Sequence, residues 1–278
     1  MKRQAGWFGA LALSLAVGAC SKDETPPPPA KGDGTVKAVG TIVSGGTVFR
    51  LPFDAALSPD GKTAYFTALV DDGAALFRTS VSGGMPSKLA DLIAPGSVDV
   101  TADGSTVLVG DSAAEPSPGV LGAIVSIPSS GGSPSVLAGT EGSLPQAIAI
   151  SGQRVVFTGV DPADGAPGVF QTSASGGLSV VLKAGLIDPT GVTVGSSGEV
   201  YVLDAESVSA STRRILKVAS GSATELVKGL HVGYPAGIAL AENGLYLVVA
   251  SVDPATGKAR LERFGLSGTA AGAPVDMT

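Results

Sequence analysis

The chain has 278 residues, 18 basic against 24 acidic, and a formal net charge of −6. That balance argues against nucleic acid or an anionic membrane face as partner. A single cysteine excludes a disulfide framework, and with one histidine it excludes the usual zinc and copper ligand sets.

The chain opens with Lys2 and Arg3, followed by a run from Trp7 to Ala19 that is apolar apart from Ser14. The run is shorter than the roughly 20 residues a spanning helix needs, and small residues lead from it to Cys20. Val17-Gly18-Ala19-Cys20 resembles the lipobox of bacterial lipoproteins. The resemblance implies that residues 1–19 are a signal peptide, that cleavage falls before Cys20, and that Cys20 carries the lipid anchoring the protein to a membrane. Ser21, standing where aspartate marks inner-membrane retention in such proteins, implies the outer membrane of the cell envelope. Residues 20–35 hold four consecutive prolines and no apolar run, and read as a semi-rigid spacer. Residues 36–278 read as the folded domain.

This domain shows no helical period. Five segments align: LPFDAALSPDGKTAYF from Leu51, APGSVDVTADGSTVLV from Ala94, LPQAIAISGQRVVF from Leu144, DPTGVTVGSSGEVYV from Asp188 and YPAGIALAENGLYLV from Tyr234. Each has a proline, an alternating strand, a turn ending in glycine and a second apolar strand. The turn glycines Gly61, Gly104, Gly152, Gly198 and Gly244 are 43, 48, 46 and 46 residues apart. Between these segments lie further strand pairs around turns such as VSGGMP, SSGGSP and ASGGLS. Glycine supplies the positive φ of a tight hairpin. Four short antiparallel strands in about 46 residues make one blade of a β-propeller. The repeats resemble NHL-type and TolB-like propellers, the TolB likeness in LSPDGKTAYF and the NHL likeness in PTGVTVGSSGEVYVLD and PAGIALAENGLYLV.

The expected fold is therefore an all-β propeller of four-stranded antiparallel blades, five rather than six. VKAVGTIVSGGTVFRL, from Val36, reads as a sixth second half without a first half. It is expected to supplement or replace outer strands of the last blade and so close the ring by pairing the chain ends.

The chain holds no G-x-S-x-G, no Ser-x-x-Lys, no Walker A motif and no dinucleotide fingerprint. His231, the lone histidine, has no partner motif and reads as a loop residue. The SMP-30-like gluconolactonases share this broad fold, with a metal site of Glu, Asn and Asp around the channel. Here the single asparagine, Asn243, sits in the turn after the fifth inner strand, so the correspondence fails.

Acid placement remains. Each second strand is followed by aspartate: Asp71 and Asp72, Asp111, Asp161, Asp204 and Asp253. Asp54 and Asp99 belong to first strands near the axis. All are expected on one face, that of the longer, more variable loops, where a rigid scaffold usually carries its binding site. They form a candidate ligand face for a protein, peptide or glycan, or for calcium, which takes oxygen ligands. The same aspartates also suit plain turns. The alternative function is a carboxylate-dependent hydrolase, glycosidase- or lactonase-like, with Asp54 and Asp99 at the axis. Aromatic residues, which line propeller glycosidase clefts, are only 5% of the chain.

Overall fold

The computed structural model describes residues 49–232, 237–241 and 244–276. The lipobox, the spacer, residues 36–48, Tyr234 and Asn243 lie outside the described residues. Twenty strands form five four-stranded antiparallel sheets, each drawn from one contiguous stretch in simple up-and-down order. Blade 1 is β1 (Arg50–Leu57), β2 (Thr63–Val70), β3 (Gly73–Ser80) and β4 (Ser87–Leu92). Blade 2 is β5 (Pro95–Val100), β6 (Thr106–Asp111), β7 (Ala123–Pro128) and β8 (Ser135–Val136). Blade 3 is β9 (Ala147–Ser151), β10 (Arg154–Val160), β11 (Pro167–Ser173) and β12 (Val180–Ala184). Blade 4 is β13 (Gly191–Val194), β14 (Val200–Ala205), β15 (Thr212–Ala219) and β16 (Ser222–His231). Blade 5 is β17 (Ile238–Ala241), β18 (Tyr246–Val252), β19 (Ala259–Gly265) and β20 (Val275–Asp276). The five-bladed all-β propeller expected from the repeats is the fold observed. His231 ends a strand, paired with Thr212, rather than lying in a loop.

The repeat chemistry explains the local turns. In SPDG and TADG the carboxylates of Asp60 and Asp103 accept bonds from the hydroxyls of Ser58 and Thr101 and from the amides of Lys62 and Ser105. These bonds hold both carboxyls below the ordinary aspartate range, Asp103 at about 2. Gly61 and Gly104 follow at φ +69° and +73°, where a side chain is strained.

The core lies between blades. Blade 1 contributes Tyr65 and Leu76 to one cluster with Val98, Val107 and Val125 of blade 2. Leu108 and Ile124 of blade 2 meet Phe157 and Phe170 of blade 3. Val156 and Val169 of blade 3 meet Val200 and Val202 of blade 4. Tyr201, Leu203 and Ile215 of blade 4 meet Leu247, Val249 and Phe264 of blade 5. Each interior blade thus buries alternate residues against two neighbours, as stacked repeats must. All four strands of blade 5 come from its own repeat, so its outermost position is filled by β20.

Candidate functional site

Antiparallel order puts the linkers into each first strand, and the loops between second and third strands, on one face, here called upper. All eight candidate aspartates belong to this half of the molecule or to the inner strands below it, but the structure sorts them into four groups. Asp54 and Asp99 brace adjacent blades. Asp54 accepts from its neighbour Ala55 N at 2.9 Å and, across the seam, from Val98 N of blade 2 at 2.9 Å. Asp99 accepts from Val100 N at 2.7 Å and from Ile150 N of blade 3 at 2.7 Å. Burial pushes both carboxyls up to about 7, against the opposite pull of those amides, and the charge of Asp54 adds to the rise at Asp99.

Asp111 and Asp204 are buried within β6 and β14 and pin the linker leading into their own blade. Asp111 accepts from Ile93 N at 2.8 Å and Ala94 N at 2.9 Å. Asp204 accepts from Ile187 N and Asp188 N on one oxygen and from the Arg214 guanidinium at 2.9 Å on the other. Asp161 and Asp253 stand just past the ends of β10 and β18 and close turns onto Ala163 N and Ala255 N. Asp71 and Asp72 are exposed, Asp71 lying 3.7 Å from Arg50. Among the described residues no three acidic, histidine or cysteine side chains gather into a group that could hold a metal ion.

What the upper face surrounds is a cavity of about 850 Å³ along the axis. Its walls are mainly apolar, from residues such as Phe53, Ile93, Leu144, Pro145, Ile148 and Ile238. Asp54 borders it with both oxygens already engaged by backbone amides. Asp188 and Arg213 border it as an ion pair at 2.7 Å, the same guanidinium nitrogen donating to Asp188 O. Ser97 Oγ and Thr190 Oγ1 are enclosed in its wall without a hydrogen-bond partner among the described residues. Its wall is tightly packed behind the lining: a Cβ on Gly96 would come within 2.9 Å of Gln146 O.

The upper face carries further exposed apolar residues, of which Ile93 and Leu144 border the cavity itself. Leu51, Ile93, Leu121, Leu144 and Val208 are exposed large hydrophobics in upper-face segments. Leu51 and Leu144, each before a proline, occupy equivalent positions at the start of blades 1 and 3, with φ of +42° and +44°. A leucine held there is strained, and such strain concentrates at binding and switch sites. Exposed apolar residues of the opposite face, such as Met85 and Leu178, sit at hairpin tips away from any cavity on the axis. The sequence singled out the acids of this face, and the apolar character of its cavity appears only in the structure. The one signal for the rim was the Leu-Pro pair repeated at 51–52 and 144–145.

No family model matches the chain, and no curated protein matches it. Solved structures do. A putative TolB from Agrobacterium tumefaciens superposes with a TM-score of 0.60 at 19% identity, over 83% of this chain and 80% of that one. A nidogen/laminin complex gives a TM-score of 0.60 at 20% identity, over 76% and 74%. A gluconolactonase from Xanthomonas campestris gives 0.57 at 16% identity, over 77% and 71%. At such identities the likeness establishes the propeller fold, TolB-like included, and leaves activity to the site itself.

Proposed function

We propose that the protein is a binding module of the cell envelope. It is tethered to the outer membrane by lipid on Cys20 and holds a protein partner at the upper face. The observation that carries this reading is the apolar axial cavity with exposed Ile93 and Leu144 in its lining, on a face that also exposes Leu51, Leu121 and Val208, since exposed apolar residues next to a preformed hollow mark interaction sites. Two of its propeller neighbours are a TolB and the partners of a nidogen/laminin complex, which accords with a protein ligand. The residues 20–35 would hold the domain clear of the lipid head groups.

The test is a face-resolved crosslink in envelope extracts. A photoreactive residue at Val208, 96% exposed on the upper face, is compared with one at Leu178, 91% exposed on the opposite face. A discrete adduct from position 208 alone, lost when Ile93→Asp is added, is the expected result. Equal adducts from both positions, or none from 208, would sink the proposal. The hydrolase reading rests on the raised carboxyl of Asp54 at the cavity wall. It requires glycoside or lactone turnover that Asp54→Asn abolishes.

A further inference from the structure

Two arginines of blades 4 and 5 each hold two carboxylates, one on either side of the guanidinium. Arg214 of β15 turns Nε and Nη2 onto one oxygen of Asp204, at 3.3 and 2.9 Å, and brings Nη1 within 3.8 Å of Glu225. Arg260 of β19 repeats the arrangement, with Nε and Nη2 on Glu262 at 3.2 and 3.0 Å and Nη1 3.6 Å from Asp253. Arg213, next to Arg214 on β15, has only half of it. Its Nη1 donates to Asp188 Oδ2 at 2.7 Å and to Asp188 O at 2.8 Å. Among the described residues no group meets its Nε or Nη2.

Arg213 borders the axial cavity, and among the described residues it is the only cation that does. Its side chain is mostly buried, where donors left unused cost free energy. The guanidinium is also held in place. Asp204 fixes the amides of Ile187 and Asp188, and Asp188 in turn holds Nη1 by two oxygens. A group fixed in advance loses little entropy on binding. Around it the lining is apolar, with Pro145, Ile148, Val192 and Ile238. The two acids on the wall are already committed. Asp188 is paired with Arg213, and Asp54 accepts from the amides of Ala55 and Val98. Burial raises Asp54 to about 7, which reduces the charge it sets against an anion near neutrality.

We infer that the axial cavity binds a small organic acid, its carboxylate on Nε and Nη2 of Arg213 and its uncharged body against the apolar lining. Those two nitrogens form an edge that takes a carboxylate by two parallel bonds. The ligand thus supplies the carboxylate that Asp204 gives to Arg214 and Glu262 gives to Arg260. A volume of about 850 Å³ lies within the range of small-ligand sites. The C-terminus of a peptide offers the same carboxylate, and the test separates the two sources. The inference goes beyond the proposed function and needs no protein partner, so either can fail without the other.

The test measures calorimetric binding of octanoate, and of its neutral isostere octanamide, to the full chain. The acid is expected to bind roughly tenfold more tightly, as a charge-assisted pair of bonds requires. Arg213→Gln should abolish that preference and leave the affinity for the amide. Asp188→Asn, which frees the guanidinium of its competing carboxylate, should tighten octanoate binding severalfold, and it keeps the test decisive where Arg213→Gln does not fold. Equal affinities for acid and amide in the unaltered chain, or no binding of either at millimolar concentration, would overturn the inference. So would a preference that survives Arg213→Gln, or an octanoate affinity that Asp188→Asn leaves unchanged. The peptide arm uses acetylated trileucine with a free and with an amidated C-terminus. An Arg213-dependent preference for the free carboxylate, seen with the peptide and not with octanoate, would give the cavity to a protein C-terminus and overturn the assignment to a small acid.

Discussion

Blades 4 and 5 come from equally good copies of one repeat, yet they are buried differently. Every residue of β14 in blade 4 is buried, whereas β18 in blade 5 alternates strictly between buried and half-buried. The strands are similarly apolar, so the difference is not one of propensity. It comes from neighbours. Blade 4 is sandwiched between blades 3 and 5, and blade 5 is packed by described residues on one side only. Burial in a propeller is a property of the seam, and the same substitution should cost different amounts in the two blades.

The largest effect should come from a buried charge. Asp204 is wholly enclosed and paired with Arg214, while Asp253 caps an exposed turn of blade 5. Asp204→Ala leaves two linker amides unpaired and Arg214 with only the more distant, half-exposed Glu225 at 3.8 Å, and is expected to cost about 3–5 kcal/mol by urea denaturation. Asp253→Ala should cost about 1 kcal/mol or less. Comparable losses would show that Asp204 is not a brace. Next comes the apolar core. Leu203 in blade 4 is fully buried and Val248 in blade 5 is not. Leu203→Ala should cost about 2–5 kcal/mol and Val248→Ala about 1 kcal/mol. A large cost at Val248 would mean that its face is covered more tightly than its half-burial indicates.

The fold was legible because its signals repeat. Five turn glycines at nearly constant spacing, and the strand pairs between them, fix blade number and strand order with little dependence on any one residue. The site was less legible because its meaning changes within one or two positions. Asp111 and Asp204 fall inside their strands and point inward, while Asp161 and Asp253 fall just past theirs and meet solvent. Those pairs look equivalent in sequence, and strand ends are the least readable feature of a sequence. The rim leucines were hidden for another reason. An apolar residue beside an apolar strand reads as part of it, and only the positive φ at Leu51 and Leu144 sets them apart.

A pH series sharpens the contrast between the seams braced by buried acids and the packing of blade 5. Asp54 and Asp99 tie blades 1, 2 and 3 together, and each has its pKa raised from 3.8 to about 7 by burial. Between those values the folded protein holds protons that the unfolded chain releases. Stability from this source is therefore full below about pH 4, falls as pH rises, and levels off above about 7. The turn acids Asp60, Asp103 and Asp253 have lowered values and act in the opposite sense, below about pH 4, so the two windows do not overlap. Asp99→Asn should make the decline in melting temperature between pH 4 and 7 shallower, whatever it does to the overall level. An unchanged slope would mean that Asp99 does not carry the titration.

The smallest expected effect concerns calcium. Eight aspartates around one half of a propeller suggest a cation site in sequence, and their mutual repulsion would reward an ion that bound there. Their geometry removes most of that motive. Asp54, Asp99, Asp111 and Asp204 already spend both oxygens on amides or, at Asp204, on amides and a guanidinium. The remaining four belong to three different blades, and no triad forms among the described residues. A calcium ion needs six to eight oxygens converging at 2.3–2.6 Å. Millimolar calcium should therefore shift the melting temperature no more than sodium chloride of equal ionic strength, through screening alone. A calcium-specific rise that Asp161→Asn or Asp253→Asn removes would show that loops of separate blades converge on an ion. The upper face would then be an acidic site after all, and the apolar rim secondary to it.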